Sequence, residues 1–260
     1  MNRTVQFDPG ELGTVLSVWA HPDDETFLAG GLMASCADAG QRVVCVSATA
    51  GEHGTDDPVA WPPERLARRR REETAAAMAV LGVDDHRFLG FEDGALACVD
   101  PAVGVAAITD LIDEVHPDTI LTFGPTGMTF HTDHITTGAW TTTAWESTGR
   151  RGRLLYATMT DEHLAAYGQA YEEWGIYMTD DRPLGHRAAD LAIHHVLRGD
   201  LLERKLTALA AMVSQTAEAI ATLEPDVWHA TNNVECFVDA STAFPWRGVP
   251  IWNAATPLDT

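Results

Sequence analysis

Three ionisable side chains, His21, Asp23 and Asp24, crowd the end of an apolar run in the segment SVWAHPDDETFLAGG, residues 17–31. A second polar cluster, His131, Asp133 and His134, closes GPTGMTFHTDH at residues 124–134. His21, Asp24 and the distal His134 form a set of two imidazoles and one carboxylate. Such a set suits catalytic zinc and leaves one position open for water. Nitrogen and oxygen donors alone do not select zinc over iron or another divalent metal. Asp23 would then stand beside the metal, where a carboxylate can take a proton from a water whose pKa zinc lowers to about 7. His131 is placed to hydrogen-bond an oxyanion, and Asp133 to orient one of the two ligand histidines. Pro22 and the acids by themselves would also suit a helix N-terminus. That reading accounts neither for His21 nor for the second histidine-rich loop.

Short apolar runs alternate with helical patterns along the first part of the chain, and these elements must bring the two clusters together. Strands are predicted at 14–20, 42–49, 86–91, 118–123 and 153–159, with helices at 25–40, 62–83, 101–117 and 134–148. Pro at the start and Gly82 near the end of the second helix give the asymmetry expected of helix termini. This alternation predicts an α/β fold, a Rossmann-like, mostly parallel sheet with helices on both faces. Ligands of such sheets bind outside the carboxyl ends of the strands. Reading those ends in order collects His21, Asp23 and Asp24, then Glu52 and His53, then Glu92, Asp93 and Gly94, and then His131, Asp133 and His134. Beyond residue 160 the rhythm loosens into a helical stretch near 161–175, loops and short strands over 176–197, and one long amphipathic helix over 200–223. A single domain over 1–260 is expected, with a core at 14–160 and a C-terminal extension at 161–260 packing on it.

The 260 residues carry a net charge of −21, which argues against a nucleic-acid or anionic-membrane partner, since both need a basic face. None of the four cysteines (36, 45, 98 and 236) forms a C-x-x-C pair, and the expectation is buried thiols in a reducing cytoplasm. The first residues lack the apolar core of a signal peptide, and no apolar run approaches the roughly 20 residues of a membrane span. No glycine-rich dinucleotide or phosphate loop follows the first strand.

AHPDDETFLAGG resembles the signature of the LmbE-like, or PIG-L, zinc deacetylases, and HTDH resembles the H-P-D-H motif of the same family. TAGEHG, the Arg70 and Glu73 pair leading to LGV, LGFEDG and RKLTALAAMVSQ are similar to its remaining motifs, in order, over about residues 14–217. The resemblance implies an LmbE-like fold and an enzyme that removes acyl groups from amino sugars or cleaves related amides. It implies His21, Asp24 and His134 as zinc ligands, Asp23 as general base, and His131 at the oxyanion with Asp133 supporting it. Arg70 and Asp93 fall where relatives contact sugar hydroxyls, and Glu52 lines the site or caps its loop. Thr129, Phe130, Thr132 and Met212 depart from the family pattern, and Phe130 is expected to narrow the substrate pocket. Trp61 is the candidate for stacking on a sugar, whereas Trp140 and Trp145 are expected in the core.

The resulting expectation is a cytoplasmic, zinc-dependent (or Fe²⁺-dependent) hydrolase of a small-molecule N-acyl amino sugar or glycoconjugate. It has no nucleic-acid or membrane partner, and its state is left open between monomer and homo-oligomer. An amidase of thiol conjugates is the neighbouring alternative. A phospho-receiver domain would need a Lys after the fifth strand, which RLLYATMTDE does not supply. A non-catalytic metal-binding module would leave Asp23 without a purpose.

Overall fold

The computed structural model describes residues 8–242. The terminal segments, including the N-terminal stretch read for a signal peptide and the last part of the C-terminal extension, lie outside the described residues. Five parallel strands form the first part of one seven-stranded sheet: β1 (Val15–Trp19), β2 (Val43–Thr49), β3 (Asp85–Phe91), β4 (Thr119–Phe123) and β5 (Arg153–Thr158). With β6 (Ile193–Val196) and β7 (Val234–Asp239), the sheet order is β3-β2-β1-β4-β5-β7-β6. Every residue of β1, β2 and β4 is buried, as expected of strands covered on both faces. Side chains alternate between those faces. Val15 and Trp19 join the core beneath helices α1 (Asp24–Asp38) and α2 (Pro63–Leu81), while Leu16 and Val18 join the core beneath α3 (Pro101–Val115) and α4 (Thr132–Ser147). Trp140 and Trp145 are both in the second core.

Helix limits follow local chemistry. Asp100 caps α3 through Ala102 N, with Pro101 at the first turn, and Gly82 ends α2 in the left-handed conformation, where glycine carries no Cβ penalty. The strand order reverses direction at β1, between β2 and β4. The crevice of an open α/β sheet opens at such a point, and both polar clusters leave the sheet there.

The C-terminal part differs in detail from the expected pattern. The single helix expected over 200–223 is two helices, α6 (Asp200–Ala211) and α7 (Val213–Thr222), broken at Met212 with φ −88° and ψ 53°. The buried Glu73 carboxylate accepts hydrogen bonds from Ser214 N and Ser214 Oγ. An anion at this new N-terminus stabilises the break. After α5 (Asp161–Trp174) come β6 (Ile193–Val196), α8 (Pro225–Asn232) and β7 (Val234–Asp239). β7 inserts antiparallel between β5 and β6, so the sheet is mixed at this edge. Glu235 of β7 accepts hydrogen bonds from Gly31 N and Leu32 N, within α1, and pairs with Lys205 Nζ at 2.9 Å. Lys205 Nζ also donates to Phe27 O at 2.7 Å. A fully buried ion pair thus anchors the helix that starts at Asp24. No helix among the described residues is long and apolar enough to cross a membrane.

Candidate metal centre and active-site cavity

β1 ends at Trp19, and the chain turns through His21–Pro22–Asp23 into α1. Asp24 Oδ2 accepts from His21 N at 2.8 Å, closing that turn. Asp23 adopts φ 130°, a conformation costly for a residue with a Cβ, and such strain clusters at functional sites. Two groups hold it there: Asp23 N donates to Glu25 Oε2, and Arg70 Nη2 meets Asp23 Oδ2 at 3.1 Å. Arg70 is itself fixed by donating to Gly51 O and Pro22 O. Gly51 has a positive φ, and a Cβ there would collide with the Arg70 guanidinium.

His21 Nδ1 lies 3.1 Å from His134 Nε2 and 3.5 Å from Asp24 Oδ2, and His134 Nε2 lies 3.3 Å from Asp24 Oδ1. Asp24 thus turns one oxygen toward each ring, and the three side chains close around one point where a cation could be held. The far sides of both rings fix the tautomers it needs. His134 Nδ1 donates to Gly127 O at 2.9 Å, which leaves Nε2 as a lone pair. His21 Nε2 faces Asp93 Oδ1 at 3.1 Å and Asp133 Oδ2 at 3.3 Å, which leaves Nδ1 for the cation. Carboxylates and carbonyls on the outer nitrogen orient metal-bound histidines in this way. Two further donor groupings share His21, one with His131 and His134 and one with Asp93 and Asp133. The first would use a ring engaged elsewhere, because His131 Nδ1 accepts from Asp133 N and caps α4. The second uses the nitrogen that the carboxylates need as their donor. Asp24 is the carboxylate that faces the inner nitrogens of both His21 and His134, so these three could hold a cation together.

The donors differ in charge. Burial lowers the His134 pKa to about 4, keeping the ring neutral. Burial opposes charge on His21 too, but hydrogen bonds to Asp133, Asp24 and Asp93 overcome it and hold the pKa well above the ordinary value. Burial would raise Asp24, yet His134 and His21 bring it down to about 2. Carboxylates converging on one point in a desolvated site make a field that suits a dication. Asp23 is pushed up to about 7, chiefly by burial, against the pull of Arg70. Phe123 stacks on the His134 ring, with centroids 4.2 Å apart and planes at 10°, so the sheet core braces one ligand directly.

The cavity over this centre measures about 480 Å³, and Asp23, Arg70, Asp93 and His131 all face it. Position sorts the remaining expectations. The Asp133 carboxylate accepts from Gly94 N and Leu96 N and lies on His21, one of the two histidines it was expected to orient, while its backbone N donates to His131 Nδ1. Phe130 does not line the cavity; Met128 and Thr129 do, because positive φ at both Met128 and Phe130 turns the loop between them. Glu52 does not line it either. Its Oε1 accepts from Asp93 N and so supports the loop after β3. Trp61 lies outside, beneath the Arg65 guanidinium at 4.5 Å. Arg70 spends its hydrogen bonds on Gly51 O, Pro22 O and Asp23, and Asp93 spends its own on His21 and His53 N. The sequence reading passed over Glu25, which reads as an ordinary first-turn acid. It also passed over Gln215, Thr231 and Asn232, which the C-terminal helices bring to the cavity.

The model of the family described as PIG-L: GlcNAc-PI de-N-acetylase matches residues 16–145. The chain is 35% identical to a 1D-myo-inositol 2-acetamido-2-deoxy-alpha-D-glucopyranoside deacetylase of Kineococcus radiotolerans, over 50% of this chain and 46% of that protein. To the protein of the same name from Mycolicibacterium vanbaalenii it is 31% identical, over 88% of this chain and 89% of that protein. Among solved structures, it resembles an N,N'-diacetylchitobiose deacetylase from Pyrococcus horikoshii with a TM-score of 0.60 and 22% identity, over 88% of this chain and 84% of that one. At that identity the likeness speaks for the fold.

Proposed function

The chain belongs to the PIG-L family, and on that premise we propose that it is a zinc-dependent hydrolase that removes an acyl group from an N-acyl amino sugar or glycoconjugate. The observation that carries this reading is the donor triangle of His21, Asp24 and His134, with both imidazole tautomers set from behind. When bound, zinc lowers the pKa of a water and polarises an oxygen nearby.

The chain's own residues divide the remaining work. Asp23 takes the proton of the attacking water. Its buried carboxyl, held by Arg70 and by the Glu25 contact to its backbone, has the near-neutral pKa that a base working at neutral pH needs. His131 accepts at Nδ1 from Asp133 N, so its proton sits on Nε2, and this donor stabilises the oxyanion. Burial lowers the His131 pKa, which keeps the ring neutral and a donor through that one nitrogen. The proton for the leaving amine comes from Asp23 or His131, both of which line the cavity. His53 and Gln215, with the spare capacity of Asp93, face the sugar.

Among the described residues no cysteine is paired, and three of the four are buried, which supports a reducing compartment such as the cytoplasm. The test is hydrolysis of N-acetylglucosamine glycosides, including the inositol glycoside, by metal-stripped and zinc-reloaded protein. Acetate and free amine should appear in equal amounts and only after reloading. Zinc-loaded protein that releases no amine from any of them would sink the reading.

A further inference from the structure

The cavity is of mixed character. Its lining falls into two groups: Asp23, Arg70, Asp93 and His53 are polar and joined by hydrogen bonds, with Gln215, Thr231 and Asn232 also polar, whereas Phe27, Leu28, Met128, Met159, Trp174 and Ile176 are apolar, four of them meeting again around a second cavity. Phe27 and Leu28 stand three and four residues after Asp24 on α1, and so share its helix face. The apolar wall is a built feature. Trp174 packs edge-on to Phe27 and Trp228, at 5.8 and 6.1 Å between centroids. Tyr171, which lines both cavities, has its hydroxyl bonded to His163 Nε2 at 2.8 Å. Met178 N donates to Thr129 O at 2.9 Å, which ties the segment after α5 to the loop that leads into α4 and His134. A second cavity of about 40 Å³ shares Phe27, Leu28, Met128, Met159, Tyr171 and Thr231 with the first and is also lined by Thr158, Thr160 and His163.

An acetyl methyl would fill little of this space, and an empty apolar chamber gives up the contacts that a longer chain would supply. We propose that the acyl group accepted here is a medium-length aliphatic chain, of the hexanoyl-to-decanoyl class, lying in the chamber while the amino sugar occupies the polar side. This rests on the amide-hydrolase reading above. Water adds across the amide: the acyl carbon gains the oxygen, the carbon–nitrogen bond breaks, and a fatty carboxylate and a free amine leave. Flexible thioethers at Met128 and Met159 let the wall follow chains of different length.

The experiment compares kcat/KM for N-acetyl-, N-hexanoyl- and N-octanoylglucosamine with zinc-loaded protein. In parallel, sodium octanoate and acetate binding is read from tryptophan fluorescence. The specificity should climb with chain length, by up to about four-fold per methylene, and octanoate should bind the tighter of the two acids. Ile176→Glu should flatten the series. A flat or falling series in the unaltered protein, or a slope that Ile176→Glu leaves intact, overturns the proposal. If no N-acylglucosamine turns over while octanoate still binds preferentially, the chamber stands and the hydrolase reading falls. If octanoate shows no preference either, both fall.

Discussion

Asp133 Oδ2 lies 3.3 Å from His21 Nε2, on the far side of the ring from the donor triangle, and the same carboxylate accepts Gly94 N and Leu96 N. One buried carboxylate therefore joins the loop after β3 to the ligand after β1. The ring orientation of His21 depends on a residue 112 positions away. Such outer partners typically set metal affinity by about 10–100-fold. Asp133→Asn should weaken zinc binding by that order without abolishing it, as read by chelator competition. His21→Ala, by contrast, should lose the metal, because two ligands remain where three stood. Equal affinities of Asp133→Asn and the parent protein would remove Asp133 from the support of His21.

Asp23→Asn should retain zinc and lose turnover by about 10²–10⁴-fold, the usual contribution of a general base. Arg70 keeps its bonds to Gly51 O and Pro22 O in the variant, so the guanidinium is not left bare. Turnover unchanged at full metal occupancy would assign proton removal elsewhere.

That His21, Asp24 and His134 meet was legible because they follow strand ends, and strand ends of a parallel sheet converge. Strands β1, β2 and β4 announce themselves by apolar runs that match buried positions on both faces. What lay hidden depends on contacts distant in sequence. β7 gains its identity by pairing with β5 and β6, and its short run carries no parallel-strand pattern. The break at Met212 depends on Glu73, far away on α2. Phe130 looked like a pocket residue by adjacency to His131, but left-handed conformations at Met128 and Phe130 put Met128 and Thr129 on the cavity instead. Backbone turns of this kind leave no trace in residues that are not glycine.

Lys205 and Glu235 are both fully buried and bonded to each other and to the backbone of α1. Removing one partner from such a pair strands the other charge, at a cost of about 3–5 kcal/mol. Lys205→Met should destabilise the protein by that order, while the double variant Lys205→Met, Glu235→Gln should recover part of the loss. Urea denaturation of the metal-loaded proteins measures both. A single variant within 1 kcal/mol or so of the parent would mean that the pair does not anchor α1.

His86 makes stability depend on pH on the acid side. Burial, assisted by the Arg71 cation, lowers its pKa to about 4 in the folded protein. Its Nε2 lies 3.1 Å from Ser47 Oγ, and its ring packs edge-on against Phe88, over which Arg71 is placed. An unfolded chain would bind the proton at the ordinary value near 6.5. Between that pH and about 4 the unfolded state therefore carries more protons, so stability rises with pH across this window and is lost as pH falls through it. The contribution is fully present above the unfolded pKa. Its slope is bounded by about 1.4 kcal/mol per pH unit, and is smaller here because the ring is only partly shielded from solvent. His134, His131, His163, His186 and His195 are also lowered, so the informative quantity is a difference between variants. His86→Gln keeps a polar partner for Ser47 and removes the titration. Urea midpoints at pH 7 and pH 5 should fall less in this variant than in the parent protein. Equal falls in the two would show that His86 titrates alike in the folded and unfolded chains, and the acid sensitivity would belong to the other histidines.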